Sequence, residues 1–146
     1  MILLTLCPEL AACPSFAEYE STSIAIDIEL LRLYAEETCS YTVSGPPDFY
    51  NPFLHEVLPM AFSDHLILDA VLALGGMSAR VSEESDIIET RALECYGAAM
   101  HQLRIALAAF TPGDDSEAVR LFVATMLLCL HEVCYSFLIM GVMTVY

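Results

Sequence analysis

Cys129, His131, Glu132 and Cys134 bring two thiols, an imidazole and a carboxylate into six consecutive residues, a set of types able to hold a transition metal. Ligands of one ion must converge, however, and on a helix Cys129 and His131 point about 200° apart. No metal site is expected there. His65 and Asp69 stand one helical turn apart, a spacing that suits a metal or a His–carboxylate hydrogen bond. The plainer expectation is a pairing at a helix start. His131-Glu132 forms a polar island in an otherwise apolar run, and a core histidine with a satisfied hydrogen bond is expected. Glu36-Glu37, Glu83-Glu84 and Asp114-Asp115 supply paired carboxylates. General acid–base work needs one such group held dry beside another, whereas these read as solvated faces and helix starts, where acids favour the helix dipole. The sequence holds no glycine-rich phosphate loop, no Gly-x-Ser-x-Gly elbow and no His-Glu-x-x-His. The residues therefore predict no catalytic site, no cofactor site and no metal site.

Six cysteines, at 7, 13, 39, 95, 129 and 134, are too dilute in 146 residues for a stapled scaffold. Four of them fall inside helical apolar patterns, so buried reduced thiols are expected.

The elements that would carry these groups are helical. Residues 1–20 show no clean period and are broken by Pro8 and Pro14. A helix is expected from about 24 to 39, on Ile24, Ile28, Leu31, Tyr34 and Ala35, with Ser21-Thr22-Ser23 offering caps. Ser44-Gly45-Pro46-Pro47-Asp48 reads as a loop. Asn51-Pro52 opens a short helix that Pro59 stops or bends. Ser63-Asp64 restarts it, and the stripe Leu66, Ile67, Ala70, Val71 and Leu74, widened by Leu68 and Leu72, predicts a helix buried on most sides. Gly75-Gly76 is expected to weaken its far end. After an acidic stretch, Ser82 to Asp86, Asp86 and Glu89 have capping-box spacing. The helix that follows repeats Leu93, Tyr96, Met100, Leu103 and Leu107 as its apolar face, with small residues such as Ala92, Gly97 and Ala99 allowing close approach. Thr111-Pro112-Gly113 ends it. Asp114 with Glu117 opens a last helix carrying Val119, Phe122, Val123, Met126, Leu127 and Leu130. No strand–turn–strand signal and no internal repeat occurs. The predicted fold is all-α, an irregular bundle of about five helices.

Composition narrows the function classes. Hydrophobic residues, Tyr included, make up 57%, and exchanging the 7 Tyr for the 6 Gly barely moves this above-average value. Disorder is excluded on that ground. Charge is lopsided: 20 acids against 5 arginines and no lysine, a net of −15. A duplex-binding surface needs a basic stripe to displace counterions, and none exists here. So much apolar surface implies a membrane span, an obligate oligomer or a piece of a larger domain. Leu121 to Tyr146 is long enough to cross a bilayer. Glu132 would then lie near its centre at a cost on the order of 2.5 kcal/mol or more, with no cationic flank, so insertion is not expected. Met1 to Cys7 is apolar but lacks a basic region, and no secretory signal is read there.

Three blocks carry a family resemblance. The run Asn51-Pro52-Phe53-Leu54, then Val57 through Leu68 and Ala70-Val71-Leu72-Ala73-Leu74, resembles the opening of the fungal-specific transcription factor domain. Ala92-Leu93-Glu94-Cys95-Tyr96 with Leu103-Arg104-Ile105-Ala106-Leu107 is similar to that family's AL-x2-Y … LR-x-AL helix. Ala124 through Val133 looks like its ATxLLLCLxEV segment. The blocks span roughly residues 24 to 134. The family's Cys-x2-Cys-x6-Cys array has no counterpart here, and the Trp-free stretch from Cys134 to Tyr146 departs from the usual continuation.

The resemblance implies an irregular segment over 1–20, a partial regulatory domain over 21–134 and an apolar tail, truncated or misannotated, over 135–146. It implies the N-terminal part of a larger helical domain, whose absent helices would cover the surplus apolar faces. It also implies a nuclear, non-catalytic role in modulating transcription through protein or effector contacts. A protein partner or self-association is expected, without direct nucleic-acid binding by this chain. A small-molecule effector stays open, and membrane association is disfavoured. A stand-alone helical adaptor is the alternative.

Overall fold

The structure, a computed structural model, describes residues 21–39, 46, 49–79 and 85–144. The irregular stretch 1–20 with Cys7 and Cys13, most of the 44–48 loop, Glu83-Glu84 and the last two residues lie outside them. Five helices make up the described chain, and no strand occurs among the described residues. They are α1 (Ser21–Leu33), α2 (Leu58–Ala61), α3 (His65–Ala79), α4 (Ser85–Ala109) and α5 (Asp115–Thr144).

α3 is the axis of the fold. Every residue from Leu66 to Ala79 except Ser78 is buried, and α1, α2, α4 and α5 all pack on it. A helix this apolar on all sides has no face to give to water, so its neighbours must surround it. Its start matches the sequence reading. Asp64 Oδ1 accepts the Leu66 and Ile67 backbone N–H groups at 2.8 and 3.3 Å, satisfying donors that have no partner inside the helix.

The far end of α3 corrects the sequence reading. Gly75 and Gly76 do not weaken the helix; they are where three helices meet. A methyl group on Gly75 would overlap the Leu30 backbone carbonyl oxygen of α1 and lie 3.3 Å from the Tyr34 nitrogen. One on Gly76 would overlap the Ala92 side chain of α4. The missing side chains allow backbones to approach, which is why a glycine pair survives in a helix interior despite its cost of about 1 kcal/mol per residue.

α1 continues into a widened π turn, Tyr34–Thr38, so the helical path reaches Cys39 as the spacing predicts. Tyr34 is fully buried there and donates its hydroxyl to the Phe53 carbonyl at 3.1 Å. Asn51 caps the next segment, accepting the Phe53 N–H at 3.0 Å, and its amide donates to the Cys39 carbonyl at 2.9 Å. Asn51 thus ties the two segments together. A second π turn, Phe53–Val57, leads into α2, and the helical path runs on through Pro59 instead of stopping.

Two faces differ from expectation. On α4 the buried stripe is Ala92, Cys95, Ala99 and Leu103, while Leu93 and Leu107 are exposed and Tyr96 and Met100 half-buried. The close approach allowed by Gly76 selects small residues for the contact and rotates the larger ones outward. Asp86 lies inside the first turn of α4, not at its cap. On α5 the buried residues are Leu121, Ala124, Leu127, Leu128 and His131, whereas Val119 and Phe122 face solvent. α5 opens as predicted, with the Glu117 N–H donating to Asp114 Oδ1 at 3.1 Å. Gly113, at φ +111°, makes the turn before it, a conformation natural to glycine.

Candidate functional site

Three polar clasps lock the helices and set which faces remain outside. Asp27 of α1, 3% exposed, receives a bidentate pair from Arg91 of α4, with Nε to Oδ1 at 2.8 Å and Nη2 to Oδ2 at 3.1 Å. Two parallel charge-assisted bonds of this kind fix both distance and rotation between helices. Asp64, already capping α3 with one oxygen, takes Arg120 Nε of α5 on the other, and Arg120 also donates to Glu117 at 2.9 Å. The third clasp joins α3 to α4, where Asp69 Oδ2 accepts Gln102 Nε2 at 2.6 Å.

Asp69 therefore turns toward α4 instead of making the helix-start pairing expected with His65, which is exposed. Burial raises the Asp69 carboxyl above the ordinary carboxylate range, against smaller opposing effects of the Gln102 bond and Arg91. An acid whose pKa is higher folded than unfolded favours the folded state most below its unfolded value of about 3.9. That contribution is lost as pH climbs through the raised folded value. Asp69→Asn, which keeps an acceptor for Gln102, should flatten the stability–pH profile above about pH 4 and leave the pH 7 melting temperature no lower than wild type. Thermal melts followed by circular dichroism across pH would check this; a steeper profile would contradict it.

His131 is buried, as a core histidine should be, between Tyr96 of α4 and Tyr135 of its own helix. Its ring stacks on Tyr96 at 4.5 Å between centroids and on Tyr135 at 6.3 Å. Cys129 lies on the opposite, exposed side of α5, as the 200° separation requires. The Tyr96 hydroxyl donates to Glu132, and that bond is the main reason its pKa is pushed up to about 12. Cys39 and Cys95 are buried thiols outside any disulfide, raised by burial to about 11 and 12. Such thiols are poor nucleophiles at neutral pH. Cys129 differs from the expected buried thiol in being exposed.

The outer face of α5 is open. Val119, Phe122, Cys129, Val133, Phe137 and Met140 all face solvent, with Phe122 and Phe137 at 69% and 71% exposure. Near its end, Glu132, Val133, Ser136, Phe137 and Met140 line an open groove of about 300 Å³. Residues Asp115–Gly141 form a helix long and apolar enough to cross a membrane, with 22% of the apolar window buried. The model for the fungal specific transcription factor domain matches residues 29–136, from the second half of α1 to the groove on α5.

The chain belongs to that family.

No curated protein and no solved structure matches it. Membership in the fungal specific transcription factor domain family assigns the chain a role in transcription regulation. The three clasps hold the helices of this chain in register. Sequence reasoning missed Arg91, Gln102 and Arg120 as clasp residues. The advance sign for Arg91 was Asp27, a carboxylate one turn from Leu30 and Leu31.

Proposed function

We propose that this chain is a regulatory helical module that modulates transcription in the nucleus through protein contacts made by the outer face of α5. The reading rests on family membership taken with that solvent-facing row of aromatic and aliphatic side chains. Soluble monomers seldom leave so large a contiguous apolar surface uncovered unless it meets another molecule. Protein contact is preferred to a small effector because the groove on α5 is open, whereas small-molecule sites enclose most of their ligand.

Direct DNA contact is not part of the proposal. Arg32, Arg91 and Arg120 are each engaged by carboxylates, and the net charge of −15 repels a phosphate backbone. Catalysis is not part of it either: among the described residues Asp27, Asp64, Asp69 and Asp114 act as clasps and caps. Two measurements on the full chain test the reading. Tethered to an unrelated DNA-binding element in fungal cells, the chain should change reporter output relative to the element alone. Untethered, it should leave a labelled duplex unshifted at low salt. An unchanged reporter with the fusion present at normal abundance, or a shifted duplex, would overturn it.

A further inference from the structure

The apolar row on α5 has a symmetry of its own. At about 100° per residue its members fall within one arc roughly 100° wide and about 32 Å long. Two pairs in it mirror one another about a point between Cys129 and Leu130, Val119 with Met140 and Phe122 with Phe137, while Val133 mirrors the half-buried Met126. A helix with such a row is complementary to a copy of itself running the opposite way, since a two-fold axis at the mirror point sets each residue against its mate. From this we propose that two copies of the chain pair through antiparallel α5 helices, with Cys129 of each beside the axis. The inference rests on reading the outer face of α5 as a protein-contact surface, and it names the partner.

Charge favours this occupant. Despite the net of −15, the arc between Val119 and Met140 carries no ionised side chain. Glu132, the carboxylate at its border, is engaged by the Tyr96 hydroxyl. Identical copies can therefore meet here without like charges opposed, and a basic partner would find no carboxylate in the arc to pair with. Area is sufficient too. With aromatic side chains at ~150–250 Å² each, the exposed row presents on the order of 600 Å² per copy. A pair covers roughly 1,200 Å², the lower bound of stable interfaces.

The test is disulfide trapping in the full chain. In a background with Cys7→Ser, Cys13→Ser, Cys129→Ser and Cys134→Ser, which leaves only the buried Cys39 and Cys95, Phe122→Cys and Phe137→Cys chains, one of them size-tagged, are mixed and oxidised with diamide. The antiparallel register predicts a covalent dimer between unlike chains, with like-chain dimers scarce. Phe122 and Phe137 are exposed, so folding is retained, which circular dichroism verifies. Preferred like-chain dimers indicate parallel pairing and overturn the proposal, as does an equal mixture or no cross-link. Flotation of the wild-type chain with phosphatidylcholine vesicles supplies the remaining arm. Staying in buffer agrees with pairing, and floating would assign the face to lipid. If cross-linking fails while the tethered chain still alters the reporter, the copy pairing falls and the regulatory reading stands.

Discussion

Gly75→Ala should abolish the native packing of α1 against α3. The added methyl has nowhere to go, because the atom it meets is the Leu30 carbonyl oxygen, part of a helix backbone that cannot rotate aside. Relief requires α1 to move away from α3, opening the contact that buries Leu30, Leu31 and Tyr34. Overpacking a core by one methyl typically costs 1–3 kcal/mol, and a backbone obstacle places this case at about 3 kcal/mol or above. The helix-propensity gain of about 1 kcal/mol for replacing glycine offsets little of it.

Two companions separate the mechanism from a general intolerance of substitution. Gly97→Ala, at an exposed position with open space around it, should stabilise by about 0.5–1 kcal/mol. Gly76→Ala should destabilise but be partly rescued by Ala92→Gly, since there the obstacle is a removable side chain. Urea titrations of the four variants would check the order. A Gly75→Ala chain as stable as wild type would refute the close approach.

Arg91→Ala should be nearly as damaging, for an electrostatic reason. It strands the Asp27 carboxylate, 3% exposed, between α1 and α4 without the bidentate partner that neutralises it. Breaking one side of a buried pair typically costs 3–5 kcal/mol, and the 19% exposure of the Arg91 side chain points to the lower half of that range. Combining Arg91→Met with Asp27→Leu should recover much of the loss, because the penalty lies in the orphaned charge. A double-mutant cycle in urea measures this directly. Equal losses in the single and double variants would place the effect in packing instead.

Helix starts were legible in the sequence because capping is local. Asn51, Asp64 and Asp114 each show their role within three residues, and each side chain accepts the backbone N–H groups it should. Helix faces were harder to read. On α4, periodicity picks out Leu93 and Leu107, yet the contact is built from Ala92, Cys95 and Ala99, since two helices at close range leave room only for small groups. That preference is set by Gly76 on a different helix, beyond the reach of any local pattern. α5 is apolar nearly all round, so no period could say which side packs on α3. The clasps pair residues 33 to 64 positions apart, and their geometry exists only once the helices have met.

The regulatory reading stands or falls on the outer face of α5. Its most direct test is the tethered reporter with Phe122→Asp and Phe137→Asp combined, at matched abundance. Both side chains point to solvent, so the fold should tolerate the change while any surface docked there is repelled. Loss of the reporter response, with helical content intact, is the expected result. A full response from the doubly charged chain would contradict the account.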